Sequence, residues 1–385
     1  MPPTVDFYDA PPGLDSVAPG TLVESEESKD VLLPFTDIRV DAEVTRIMYT
    51  STGLDGEAIP VTGTILEPTT PWIGGKPRPL IALAPGTQGL GDQCAPSKLI
   101  PLGQEYENLQ ITPLLAQGYS VAVTDYVGLG TEGIHPYLNR ELGGRALLDL
   151  ARAALSARPD VDRAATPVGL WGYSEGGHAA GAAVELADEY APELPLVGAF
   201  VGAPAPDLLD LAELGDGSLL SGGLGWVVAG LAAAYPNKAE EILGTFNRVG
   251  RELIARTSTA CIYDALSLNP FVPTTFYTVD GRPILDHLST DPWRSLVDDQ
   301  RLGDRAPSVP VFLASNTSDD FVAYRGTKTL GDRWQAGGGD VTRQDLHLPP
   351  LLPGTGLGHV LGLVTAGPAM QWMHDRITYT ELSTP

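Results

Sequence analysis

Gly172-Tyr173-Ser174-Glu175-Gly176 stands between a short apolar run, Pro167–Trp171, and a helix-like stretch, Gly177–Tyr190. No other feature constrains the chain as much. A G-x-S-x-G in that setting asks for a strand that ends in a very tight turn and passes directly into a helix. Small residues at 172 and 176 let neighbouring backbone approach, and the backbone at Ser174 is expected to be strained. The serine oxygen then sits at a helix N-terminus, where the dipole favours developing negative charge. The blander alternative is a glycine-rich βα turn holding an ordinary serine. The strand–turn–helix context favours a nucleophile.

The flanking sequence supplies the sheet such a turn needs. Residues 1–35 are rich in Pro, Gly and acid and read as an extended lead-in. Two β-like runs follow, Ala42–Ser51 and Ile59–Leu66, with Gly53 and Gly56 between them, which is a hairpin pattern. From Arg78 the rhythm becomes strand–helix alternation. The strands are Pro79–Ala84, Tyr119–Thr124, Pro167–Trp171 and Leu196–Val201, with a helical spacing of Leu and Ala over Arg140–Ala157. Continuous apolar strands separated by helices predict a mostly parallel sheet covered on both faces. The rhythm stops over 206–305, which reads as helical and irregular. It resumes with Val309–Ala314, a helix over Tyr324–Gln335, the strand Val341–Leu346 and a last helix from about Val360. The expected architecture is therefore α/β, with a core over 36–205 and 306–385 and an inserted, mainly helical cap over 206–305.

A serine nucleophile needs a base, and the base needs an orienting carboxylate. On an α/β-hydrolase sheet the chain order is serine, acid, histidine. His178 lies on the nucleophile's own helix and precedes any acid. His287 falls in the inserted block, His347 in a strand pattern and His374 in the last helix. His359 stands in Gly356-Leu357-Gly358-His359-Val360, read as a glycine-rich loop between the last strand and the last helix, and is the expected base. Asp319 and Asp320 both follow the VPVFLAS strand, at the strand end where catalytic groups gather. Asp319 begins a D-x-x-V pattern and is preferred; the other carboxylate would be solvated or would cap a helix. An oxyanion hole would take one backbone N–H from Glu175. The second would come from the loop Pro85-Gly86-Thr87-Gln88-Gly89, with Gln88 or a neighbour as donor. The Glu175 side chain has no assigned role from sequence. The run Asp125–Gly130 reads as mainly structural.

Composition removes other classes. With 24 Lys+Arg against 48 Asp+Glu, the formal charge of −24 would repel a phosphate backbone, so no nucleic-acid partner is expected. No cofactor is expected, and no metal: no ligand cluster is visible, and Cys94 and Cys261 lack zinc spacing. The two cysteines are either two buried thiols or one disulfide. The first residues, MPPTVDFYDAPPGLD, lack a basic and an apolar signal region, as in a cytoplasmic protein or a mature chain already trimmed. Gly217–Asn237 is uncharged and long enough to span a membrane, but its glycines and proline make it a poor spanning helix. It reads better as a buried hairpin, or as an apolar cap whose Leu220, Leu224, Trp226 and Val227 line a substrate pocket. No stable membrane insertion is expected, at most contact with a lipid–water interface.

The segments APGTQGLGDQCAPS, DYVGLG, GYSEGGHAAGAAVELADEYAPEL, SDDFVAY and GLGH together resemble the secretory lipase family, lipase-A-type α/β-hydrolases of yeasts and secreted actinobacterial enzymes. The likeness runs from FYDAPPGLDSVAPGTLV to the last helix. It implies the triad Ser174, Asp319 and His359, oxyanion donors at Gln88 and Glu175, and a Cys94–Cys261 disulfide suited to export. Two departures stand out. Yeast members carry a small residue where Glu175 stands, and a C-terminal extension with a mobile flap that this sequence lacks. The function expected is carboxylic ester hydrolysis, lipase or esterase, on a small-molecule or lipid ester through an acyl-enzyme, in a secreted protein. Acyl transfer at the same site and a non-catalytic hydrolase-like binding module are the competing readings.

Overall fold

A computed structural model describes residues 6–383 except 29, 30, 35, 75, 76, 159 and 160. The first five residues of the lead-in and the last two of the chain lie outside the described residues. A nine-stranded sheet forms the centre. Its strands are β1 Leu22–Glu27, β2 Ala42–Thr52, β3 Ala58–Pro68, β4 Leu80–Ala84, β5 Ser120–Val127, β6 Val168–Tyr173, β7 Leu196–Gly202, β8 Val311–Asn316 and β9 Val341–Leu346. They lie in the order β1-β2-β3-β5-β4-β6-β7-β8-β9. From β5 to β9 every neighbouring pair is parallel. The β1-β2-β3 edge is antiparallel and joins β5 antiparallel. The expected hairpin is β2–β3, closed with Thr52 opposite Ala58.

Within the lead-in, β1 adds an edge strand that composition concealed. Leu22-Val23-Glu24-Ser25-Glu26-Glu27 is mostly exposed, so nothing required it to be apolar.

Side-chain alternation along the strands divides the core. Leu80, Ala82 and Ala84 point to one face, against the helices α1 Arg140–Ser156 and α2 Glu175–Tyr190. Ile81 and Leu83 point to the other, against Asn108–Ala116 and the C-terminal helix. That period of two, with both faces apolar, is why the central strands read as continuous apolar runs.

Between β7 and β8 the described residues form helices from Leu208–Gly215 to Trp293–Asp298 and contribute no strand to the sheet. This block has its own apolar core, in which Leu220, Leu224, Trp226 and Val227 are all buried. Gly217–Asn237 contains the helix α3 Leu224–Ala234, which stops at Tyr235 before Pro236. Among the described residues no single helix is long and apolar enough to cross a membrane. One bent pair, Leu219–Ala234 with Pro236–Gly244, would qualify by length and composition but turns by 108°.

The C-terminal segment corrects one expectation. The sequence pattern predicts a last helix from about Val360. The chain instead forms α4 Leu357–Gly362, a 3-10 turn and α5 Ala366–Ser383. Pro368 cannot donate to a carbonyl one turn earlier, so a continuous helix would be broken there, whereas the first turn of a new helix tolerates it.

Candidate active site

The strand β6 ends at Tyr173, and α2 begins at Glu175. Ser174 alone makes the turn, at φ 62° and ψ −121°, outside the regions ordinary side chains favour. Such strain, of order 1–3 kcal/mol, persists only where surrounding contacts fix it. Here the glycines fix it. A Cβ on Gly172 would lie 2.0 Å from the Gly176 carbonyl oxygen, and one on Gly176 would lie 2.0 Å from that of Ala84. Only glycine lets the turn close and lets the end of β4 pack against it.

His359 Nε2 lies 2.9 Å from Ser174 Oγ, and its Nδ1 lies 2.7 Å from Asp319 Oδ2. With the Nδ1–H donating to the carboxylate, Nε2 is left to accept from the serine hydroxyl. Asp319 Oδ1 accepts from the backbone N–H groups of Phe321 and Val322, at 3.0 and 2.8 Å. That fixes the carboxylate before it meets the imidazole. Tyr173 donates its hydroxyl to the His359 carbonyl at 2.6 Å. The structure therefore brings the three sequence-expected residues into one hydrogen-bonded chain.

His359 departs from expectation in one respect. It is not in a loop but in the short helix α4, whose N-cap, Gly356, has φ 79°. Asp320 explains the geometry. Its Oδ2 accepts from the N–H groups of Thr355 and Gly356, and its Oδ1 from that of His359. Asp319 thus orients the ring, while Asp320 satisfies the helix start that carries it.

Four of the other five histidines have separate partners. Buried His178 meets the Ala205 carbonyl, and burial lowers its pKa to about 4. His287 meets Asp280, and His374 meets the Tyr119 hydroxyl. His347 lies just beyond β9. His135, which the serine–acid–histidine order never put in consideration, bonds Glu175 Oε1 through Nε2 at 2.6 Å and faces the Val127 carbonyl through Nδ1. The Glu175 side chain is therefore turned into the protein against His135.

The loop after β4 lies beside the serine turn: a Cβ on Gly86 would touch the Tyr173 carbonyl oxygen at 3.4 Å. Cys94 and Cys261 are joined in a disulfide. Next to it, the Gln88 carbonyl accepts from the Ile262 N–H, and the Leu90 N–H donates to the Ala260 carbonyl. The bridge closes 167 residues and ties the loop to the helical block. In the chain-entropy model such a closure stabilises by about 5 kcal/mol. Cys94→Ala/Cys261→Ala is expected to lower stability by about 2–5 kcal/mol, read by urea denaturation.

Buried carboxyls crowd behind this loop. Burial pushes Glu105 up to about 8, aided by Glu107 and Asp125, and Glu107 up to about 7. Both groups hold their protons in the folded protein at pH values where the unfolded chain has lost them. Each contribution is full below the unfolded carboxyl pKa and is lost as pH rises through 7 and 8. Stability is thus expected to fall from about pH 5 to about pH 8, by up to about 1.4 kcal/mol per unit for each group until its folded pKa is passed. Urea titrations at several pH values measure this, and Glu105→Gln is expected to flatten the profile.

Among the described residues no cluster of three or more His, Cys, Asp or Glu side chains could hold a metal ion.

A nine-stranded, mostly parallel sheet that delivers a serine on a strand–turn–helix elbow defines an α/β-hydrolase fold. Candida antarctica lipase A in its closed state superposes with a TM-score of 0.79 at 23% identity, covering 98% of this chain and 86% of its own. The rice cell wall degrading esterase LipA of Xanthomonas oryzae superposes with a TM-score of 0.76 at 20% identity, covering 94% and 100%. Within that class, the chain belongs to the secretory lipase family, whose model matches residues 94–383. A probable inactive lipase of Mycobacterium tuberculosis is 31% identical over 392 residues, 98% of this chain and 82% of that protein. The secreted triacylglycerol lipase LIP5 of Malassezia globosa is 27% identical over 398 residues, 97% of this chain and 78% of that protein.

Proposed function

We propose that this protein is a secreted serine hydrolase of carboxylic esters, with Ser174 as nucleophile, His359 as base and Asp319 as its orienting carboxylate. The observation that carries the reading is the unbroken chain from Ser174 Oγ through both His359 nitrogens to Asp319. His359 Nε2 takes the hydroxyl proton as Ser174 attacks the ester carbonyl. The N–H groups of Gln88 and Glu175 receive the oxyanion. The imidazolium gives its proton to the leaving alcohol, and the serine acyl ester remains. Water, deprotonated by the same nitrogen, then releases the acid. Asp319 keeps the imidazole in the working tautomer and stabilises its charged form.

One relative is named a probable inactive lipase. The hydrogen-bonded geometry in this chain favours activity instead. The family and the disulfide favour export.

The helical block over 206–305 would act as the cap on a core formed by 36–205 and 306–385. Its core includes Leu220, Leu224, Trp226 and Val227 and reaches Leu90 and Val322, on the loops that carry Gln88 and Asp319. Trp226 packs on Tyr137, whose hydroxyl meets Thr87 Oγ. These apolar side chains would form the wall nearest the acyl group. Hydrolysis rates for p-nitrophenyl esters from acetyl to palmitoyl test the reading. Turnover of some member of the series is expected, with its chain-length optimum moved by Trp226→Ala. A chain with no activity on any ester would contradict it.

A further inference from the structure

The oxyanion loop is gripped by three consecutive residues that no sequence motif marks. Glu107 Oε1 accepts from the Gly86 N–H at 2.7 Å. Tyr106 donates its hydroxyl to the Thr87 carbonyl at 2.9 Å. Glu105 Oε1 accepts from Gln88 Nε2 at 3.1 Å. Residues 105, 106 and 107 therefore hold residues 88, 87 and 86, one for one and in reverse order. Two further hydroxyls complete the grip: Tyr126 donates to the Pro85 carbonyl at 2.6 Å, and Tyr137 meets Thr87 Oγ at 2.8 Å. Among the described residues, the backbone N–H groups of Thr87 and Gln88 donate to no protein acceptor.

The grip is itself supported. Glu105 Oε1 also accepts the Glu107 N–H, closing the segment on itself. Glu107 Oε2 accepts from Gln110 Nε2, and Gln110 Oε1 accepts from the Trp171 indole on the serine-bearing strand β6. Both glutamates are buried, and Glu105 Oε2 is buried with no hydrogen-bond partner. Burying two carboxyls away from water is costly. A segment needed only for packing could fill the same volume with apolar side chains at lower cost. The expense is intelligible if the loop must be held in one geometry.

We propose that Glu105-Tyr106-Glu107 is a positioning clamp that fixes the oxyanion loop so that the Gln88 N–H already points where the oxyanion will form. This rests on the ester-hydrolase reading above. The clamp touches no reacting atom. It acts through the loop, removing the reorganisation that a mobile donor would undergo at the transition state.

The test is a set of variants assayed for kcat, KM and inhibition by a trifluoromethyl ketone, which forms a tetrahedral oxyanion on the serine. Glu105→Ala and Glu107→Ala are expected to lower kcat by about 30–100-fold, since a misplaced group costs about that much. KM should change less than about threefold, and the inhibition constant should rise in step with the loss of kcat/KM. Glu105→Gln keeps the accepting oxygen and is expected to restore most of the kcat lost in Glu105→Ala. Tyr106→Phe removes one hydroxyl and little volume, so it keeps the test open where a glutamate variant fails to fold; a loss of about 3–10-fold is expected. Active wild type with kcat preserved in Tyr106→Phe and in the folded glutamate variants would overturn the clamp alone. So would a loss of kcat with unchanged inhibition, because the defect would then lie outside the oxyanion site. An inactive wild type would overturn the ester-hydrolase reading instead.

Discussion

Ser174→Ala is expected to lower kcat on a p-nitrophenyl ester by about 10⁵–10⁶-fold while the protein stays folded. Members of a Ser-His-Asp unit act together, so loss of the nucleophile costs nearly as much as loss of the whole unit. What remains is transition-state binding by oxyanion donors, about 10³–10⁴-fold over water. The methyl side chain still has to occupy the turn at φ 62°, so the backbone strain remains. Stability should therefore move by less than about 1 kcal/mol. Steady-state rates and a urea melt on the same preparation check both halves. An alanine variant that keeps more than a tenth of the activity would place the nucleophile elsewhere.

The second large effect separates two adjacent carboxylates. Asp319→Asn is expected to lower kcat by about 10⁴-fold with little change in melting temperature. The amide has the same shape but supports the wrong imidazole tautomer. Asp320→Ala should behave in the opposite way. It strips the acceptor from three backbone N–H groups at the start of α4. Stability should fall by about 1–3 kcal/mol, and kcat should fall less than in Asp319→Asn. Rates and melting temperatures for the two variants check the assignment, and a larger kcat loss at position 320 would reverse it.

Much of the fold was legible because the sheet obeys a rule that needs no distant information. A strand buried on both faces is largely apolar: β4, β6 and β7 are so along their length, and β5 and β8 over Val121–Val123 and Val311–Ala314. The exposed edge strand β1 obeys no such rule and was missed. The serine turn was legible because its glycines meet backbone at distances that exclude any Cβ. Chain order and the strand end single out His359 and Asp319, whose side chains meet each other and Ser174. The helix under His359 did not follow, because its start depends on a side chain 36 residues away, Asp320 on Gly356.

The polar interior was the least legible part. Glu105, Glu107 and Glu175 look like surface charges in a chain of net charge −24. Their partners are Gln88, Gly86 and His135, and nothing local in the sequence announces those pairings. Glu175, next to Ser174, has no role that the sequence assigns. It is engaged with a histidine on another segment.

The central claim is that Ser174 forms the acyl-enzyme, and mass spectrometry of the fluorophosphonate-treated protein tests it most directly. One adduct per chain is expected, on the peptide containing Ser174, formed at the rate at which ester hydrolysis is lost and absent from His359→Ala on the same timescale. Full inactivation with the adduct on another residue, or undiminished hydrolysis by protein fully labelled at Ser174, would contradict it.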